Sequence, residues 1–400
     1  MRAARRYGWT TFGVCTVMLL VAGTVAAAVQ VITVVTPPGA TNTPGGIAVD
    51  ADGNLCSADF DGTVTFRITP GGAISVFAQG LFTPSGNAFD SRGRYYQSNY
   101  QDQANPGAPD TIVRVNSKGT QSTFATGLNG PVGIAIDPAD TLFVAMCNAN
   151  QVWRVDQTGT ALPFAASSSF NCPNGIAFDD IGDLYIVSFN NGIVVRLQPD
   201  GTTTDVATIP TSGNGHLVYV AGSLYITDRA GHRVYRVELP RREGAAYKVT
   251  AFAGSGVPGA TDGAANAASL QLPNGIARNA IGDTLYVNQA GGLIRAINLE
   301  LRRPGKPNKV RAVAAGTGSV ELRWGDRDRR EEGFLVQQAE GRRGDFVTVA
   351  RVPWNTTSTI IDGLSAATLY QFRIVAANGT AESRPSKKVR YRVPDRSSGL

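Results

Sequence analysis

The chain has 400 residues, 42% hydrophobic and 17% charged, which is enough apolar content for two or three packed cores and too little charge for a disordered chain. Its net charge of +6 is unevenly spread: residues 1–28 carry +3, residues 29–306 carry 18 basic and 21 acidic side chains, and residues 307–400 carry 16 basic and 10 acidic. The long middle stretch therefore lacks the basic surface that nucleic-acid binding calls for, and nucleic acid is not an expected partner.

The first 28 residues read as a leader. Arg2, Arg5 and Arg6 are followed by an apolar run from Thr10 to Val25 and by Ala26-Ala27-Ala28, a small-residue cleavage site. This is the pattern of a secretory signal peptide cleaved after Ala28, and the run is shorter than the ~20 residues of a membrane span. The expected location is secreted, periplasmic or extracellular, with no span after cleavage. Cys56, Cys147 and Cys172 remain in the mature chain. In an oxidising compartment their natural split is one disulfide and one free thiol.

From there to about residue 300 the chain repeats one unit, cleanest over residues 173–201, PNGIAFDDIGDLYIVSFNNGIVVRLQPDG. Short apolar strands are joined by Asn, Asp, Gly and Pro, which tolerate or preset turn dihedrals, so the unit is an antiparallel sheet. Six copies open at Pro44, Pro84, Pro131, Pro173, Gly213 and Pro273, with successive strand-a glycines 40, 47, 42, 40 and 60 residues apart. A period near 40 with about four strands predicts an all-β, six-bladed propeller over residues 29–300. Strand c of each copy carries an arginine: Arg67, Arg114, Arg154, Arg196, Arg236 and Arg295. Flanked by apolar residues, each is expected on the opposite pleat as a paired, stem-packed surface group. The sixth copy ends after strand c, so Val29 to Val35 is expected to supply its fourth strand and remove an open edge. The second copy has an insert at Gln101–Pro109 and the fifth a longer one at Pro240–Leu272.

Gly-Ser-Gly at 254–256, Asp262-Gly263 and Leu-Pro-Asn-Gly-Ile-Ala at 272–277 make residues 29–300 resemble NHL and gluconolactonase-type six-bladed propellers. Such enzymes hold a metal on Glu, Asn and Asp side chains placed just before the strand-a glycine. The matching positions are Gly45, Ser85, Val132, Asn174, Asn214 and Asn274: three asparagines and no carboxylate. The resemblance thus implies Ca²⁺ or another divalent cation held by Asn174, Asn214 and Asn274 with help from Asp59 or Asp228. The same amides are equally suited to a neutral polar ligand, and Asn-Gly alone is ordinary turn chemistry.

Leu301–Asn308 is a Pro/Gly/basic linker, and residues 309–394 resemble a fibronectin type III module, an immunoglobulin-like β-sandwich, ahead of a tail at 395–400. Trp324 stands where that fold buries a tryptophan and Tyr370 where it uses a corner tyrosine, with Leu364 between them. The basic module offers a surface for an anionic envelope polymer.

Chemistry is expected where the d-to-a and b-to-c loops meet around the propeller axis. His216, Asp228 and His232, all in the fifth copy, map to that face, and an Asp between two His is the raw material of an oriented general base or a metal site. Cys147, in a b-to-c loop of the third copy, and Cys172, at the start of the fourth, share the face and are expected to form the disulfide, leaving Cys56 buried in strand b. Two function classes follow. One is an extracellular binding or accessory protein recognising a small polar or carbohydrate-type ligand, or a protein partner, at the channel mouth. The other is a metal-assisted lactone or ester hydrolase of the gluconolactonase kind.

Overall fold

A computed structural model describes residues 29–37, 43–100, 110–116, 119–240, 244–280, 282–299, 303–326, 331, 333–353, 356–378 and 381–395. The expected signal peptide, the Gln101–Pro109 insert and most of the 395–400 tail lie outside them. Apart from one 3-10 turn, Ala290–Gly292, the described elements are all strands.

Six sheets form a six-bladed β-propeller. In the first five, four consecutive strands pair antiparallel, running from Pro44–Val49 to Ile74–Gln79, Pro84–Phe89 to Gln121–Leu128, Pro131–Ile136 to Ala161–Ala166, Pro173–Phe178 to Thr203–Thr208, and Asn214–Val220 to Lys248–Ala253. The sixth sheet has Ile276–Arg278, Thr284–Asn288 and Ile294–Asn298 from its own repeat, and Gln30–Val35 completes it with Val31 opposite Ile297. A fifth short strand, Gly263–Ala264, covers the outer side of Gln30–Val35.

The repeated glycine of strand a has a steric cause. A Cβ on Gly86 would meet the Val132 carbonyl of the third blade, one on Gly133 the Asn174 carbonyl of the fourth, and one on Gly275 would stand 2.8 Å from the Gly45 carbonyl of the first. The inner strands thus approach backbone to backbone, each against the next blade, and the last against the first. That strand's axial edge has no partner strand, so side chains satisfy it: Ser98 Oγ donates to the Val132 carbonyl at 2.7 Å, Asn274 Nδ2 to the Pro44 carbonyl at 2.6 Å and Asn288 Nδ2 to the Gly45 carbonyl at 3.2 Å. Farther out, apolar faces close the gaps between blades. Phe143, Ala145, Ile176, Ile186 and Val195, for example, form one core shared by the third and fourth blades.

The strand-c arginines need correction at two places, Arg154, which is exposed and has no side-chain partner among the described residues, and Arg295. In five blades the arginine lies opposite Cys56, Tyr96, Phe143, Tyr185 and Tyr225, one residue after the strand-b leucine or tyrosine. Arg67 pairs with Asp50 at 2.6 Å and lies over the Phe77 ring, Arg114 lies over Phe124, and Arg196 pairs with Asp183 at 2.5 Å. Arg295 lies opposite Val287 instead, one residue out of register, with Ala296 in the equivalent place opposite Tyr286. A one-residue slip turns a side chain to the other face of the sheet. Arg295 is accordingly 0% exposed and donates to the Ser269 and Thr261 carbonyls and to Asp262, fastening the long fifth insert.

The second group of strands builds a β-sandwich. Asn308–Gly316, Ser319–Gly325 and Ser358–Ile361 form one sheet, and Gly333–Glu340, Val347–Pro353, Leu369–Asn378, Ala381–Glu382 and Val389–Arg392 the other. Trp324 is 5% exposed and packs edge-on to Phe334, and the Tyr370 hydroxyl accepts from the Ser365 amide at 3.2 Å.

Candidate functional site

Strand a begins where strand b ends: Pro44 lies opposite Asp59, Pro173 opposite Ser188 and Asn214 opposite Asp228. The register therefore brings two rings of side chains to one end of the axis, one preceding each strand-a glycine and one following each strand b. They line a cavity of about 210 Å³. The first ring contributes Ser85, Val132, Asn174 and Asn274, and the second contributes Phe60, Tyr100, Cys147, Phe189 and Arg229, one from each of the first five blades. Cys172 completes the wall through its disulfide to Cys147, which joins the third and fourth blades at the rim. Cys56 is a free, fully buried thiol pushed up to about 12 by burial, so it stays protonated.

Of the residues singled out in the sequence, Asn174 and Asn274 face this cavity and Asn214 does not line it. Their amide groups bridge backbone. Asn174 Nδ2 donates to the Asn214 carbonyl of the next blade at 2.9 Å, and Asn214 Nδ2 to the Thr211 carbonyl at 2.7 Å. The Oδ1 atoms of Asn174 and Asn214 are buried and accept no hydrogen bond among the described residues.

Asp228 and Asp59 do not line the cavity. Asp228 Oδ1 accepts from the Gly231 amide at 2.9 Å, and a Cβ on Gly231 would collide with the Asp228 carboxylate. Asp59 sits likewise beneath Gly62, whose Cβ would stand 2.5 Å from Oδ2. Both carboxylates occupy the turn of their own Asp-x-x-Gly segment. Nor does Asp228 orient a histidine: His232 Nδ1 accepts from the Leu272 amide at 3.1 Å, and His216 Nε2 is buried with no partner among the described residues. No relay joins the three. Burial, with the nearby Arg229 charge, pushes His216 down to about 4, so its imidazole is neutral at neutral pH.

Arg229 directly follows the turn-capping Asp228, and alternation aims it into the mouth. Burial lowers its pKa against the attraction of Asp61. Among the described residues it is the one formally charged side chain of the cavity wall. Such a wall does not fit a hard dication, which is held by several oxygens including charged ones. The amides are neutral, the two acids do not line the cavity, and the remaining charge is positive. Among the described residues no three His, Cys, Asp or Glu side chains are grouped to hold a metal.

The lining ring after strand b was missed in the sequence. Its signal is there: the residue after strand b is Phe60, Tyr100, Cys147, Phe189, Arg229 or Gln289, aromatic in three repeats of six.

These features define a six-bladed propeller with an axial cavity, joined to a β-sandwich. Residues 86–228 match the family model of the SMP-30/Gluconolactonase/LRE-like region, and residues 305–391 match that of the Fibronectin type III domain. The chain combines a gluconolactonase-like propeller region with a fibronectin type III domain. No curated protein matches the sequence. Among solved structures it is similar to a protein of unknown function from Bacteroides thetaiotaomicron, with 16% identity, a TM-score of 0.57, and 68% of this chain and 76% of that one covered. A gluconolactonase from Xanthomonas campestris has 14% identity and a TM-score of 0.53, with 68% and 92% covered. A PQQ-bound aldose sugar dehydrogenase from Streptomyces coelicolor has 17% identity and a TM-score of 0.52, with 68% and 98% covered. At these identities the likeness is one of fold.

Proposed function

We propose that the protein is an extracellular binding module whose channel mouth takes a small polar, carbohydrate-type ligand. The observation that carries this reading is the composition of one cavity wall. Half-buried Phe60, Tyr100 and Phe189 offer apolar faces, while the buried Asn174 Oδ1 stands without a donor. Small-ligand sites combine such apolar walls with a few fixed polar atoms. A buried acceptor left unmade costs about 1–3 kcal/mol, which a ligand hydroxyl would recover. The rim disulfide and the fibronectin type III domain are compatible with an extracellular location, and no helix of the described residues is long and apolar enough to cross a membrane. The basic C-terminal module would tether the propeller to an anionic envelope polymer or a protein partner.

A sugar panel on the mature chain, read by saturation-transfer NMR, tests the reading. We expect at least one monosaccharide or sugar derivative to bind, and Phe189→Ala to weaken it at least tenfold. Uniform absence of binding, or binding untouched by Phe189→Ala, would sink it.

The match to the gluconolactonase-like region favours a second reading, hydrolysis of a lactone or ester. The neutral amides and the arginine at the mouth stand against its metal. Lactone turnover that a chelator abolishes and Ca²⁺ restores would install this reading in place of the first.

A further inference from the structure

We propose that the channel mouth selects an organic anion, a small carboxylate with a ring-shaped body, and that Arg229 is the residue that selects it. This rests on the reading of the mouth as the ligand site. It inverts the charge that the gluconolactonase resemblance places there.

Among the described residues Arg229 is the sole formal charge on the cavity wall, and burial opposes that charge. Asp61 attracts it at a distance, yet among the described residues no side chain hydrogen-bonds the guanidinium. A guanidinium carries five N–H donors in a planar fork that matches a carboxylate bidentately. Leaving that fork half-desolvated and unpaired costs free energy that a bound carboxylate returns.

The rest of the wall suits the same ligand. Asn174 lines the cavity and is 6% exposed, and its Oδ1 is buried with no partner among the described residues, an acceptor beside a cavity whose charge is a donor. It fits a hydroxyl or N–H on the ligand, not a second carboxylate. Phe60 and Tyr100, with ring centroids 6.0 Å apart, and Phe189 flank the opening with apolar faces. Excluding water there strengthens the ion pair, because the Coulomb energy scales inversely with the local dielectric. His216, neutral at pH 7, adds no competing charge. The inference concerns specificity and assigns no reaction.

The test is a matched-pair titration of the mature chain at pH 7 by calorimetry and saturation-transfer NMR. One pair is glucuronate and glucose, the other 4-hydroxyphenylacetate and its amide. In at least one pair the acid should bind at least tenfold tighter than its neutral partner, weaken as salt is raised, and lose its advantage in Arg229→Gln. Arg229→Lys should keep part of the advantage, since it retains the charge and loses the fork. Melting curves of both variants confirm that they fold. Neutral members binding as tightly as the acids, or an acid preference that survives Arg229→Gln, would overturn the inference and leave the mouth as the ligand site. Displacement of a bound acid by CaCl₂ well beyond that by NaCl at equal ionic strength would overturn it in favour of a metal. Failure of all four probes to bind would count against both the inference and the mouth itself.

Discussion

His216 gives the chain a pH dependence that can be signed from its surroundings. Burial lowers its folded pKa from 6.5 to about 4. Between those values the unfolded chain binds a proton that the native state refuses, so stability falls as pH drops through about 6.5 towards 4. A shift of that size has a ceiling of about 3 kcal/mol. Asp179 opposes it. Burial raises its carboxyl to about 6, so between about 4 and 6 the native state binds the extra proton and stability falls as pH rises. The two must be separated by mutation. His216→Gln should lose about 1–3 kcal/mol less than the parent when urea midpoints at pH 7.5 and 4.5 are compared. Equal acid losses in both proteins would show that His216 reaches solvent. Single residues were also where the sequence was least legible. Asp59 and Asp228 have the right chemistry for ligands, and their place at the end of strand b was readable. Their direction was not, because it is set by the glycine three residues on, which draws the carboxylate beneath its own turn.

Whole strands were legible where their period and punctuation agreed. The Gly-Ile-Ala strands, the hairpin turns and the need for a strand from the N-terminus all followed from spacing, and Gln30–Val35 does complete the sixth sheet. Register was legible in five blades and failed in the sixth. Arg295 sits between Ile294 and Ala296 much as its counterparts sit between apolar neighbours, and only pairing reveals the one-residue offset. The short outer strand Gly263–Ala264 was hidden for the same reason, since two residues carry no periodicity. Because Val31 is fully buried in the core that also holds Leu270, Ile276 and Ile297, removing its strand opens both an edge and a cavity. Deleting residues 29–36 should yield a protein that elutes as aggregates in size-exclusion chromatography. A monomeric variant with the parent's melting temperature would show the closure to be dispensable. The disulfide works on an element boundary too, closing a loop 25 residues apart in sequence between two blades. The chain-entropy estimate for such a loop is roughly 3–4 kcal/mol. Cys147→Ser with Cys172→Ser should lower stability by up to that amount, read by denaturant midpoints under non-reducing conditions.

At the scale of the whole molecule, two architectures with different sources of stability follow one another. The propeller's ring is closed by its first strand, so its integrity depends on residues such as Val31 and Ile297, which pair from opposite ends of the propeller sequence. The sandwich's core of Val320, Leu322, Trp324, Phe334, Val336, Tyr370, Phe372 and Ile374 contains no propeller residue. A core of that kind supports independent folding, and residues 305–395 expressed alone should unfold cooperatively in guanidinium. Trp324 is the sharper probe of that core. Its ring packs against Phe334 at a centroid distance of 5.4 Å, and truncating a buried aromatic costs about 3–5 kcal/mol. Its Nε1–H, however, is buried without a partner among the described residues, so the native state already bears the cost of an unmade hydrogen bond. Truncation removes that burden along with the ring, which places the expected loss for Trp324→Ala near the lower end, about 3 kcal/mol. Trp324→Phe, which deletes the N–H and keeps most of the apolar surface, should cost clearly less than Trp324→Ala. Equal losses from both variants would mean that the indole nitrogen has a partner and that the orphan hydrogen bond is not real. Broad, non-cooperative unfolding of the unmutated fragment would show instead that the sandwich depends on the propeller.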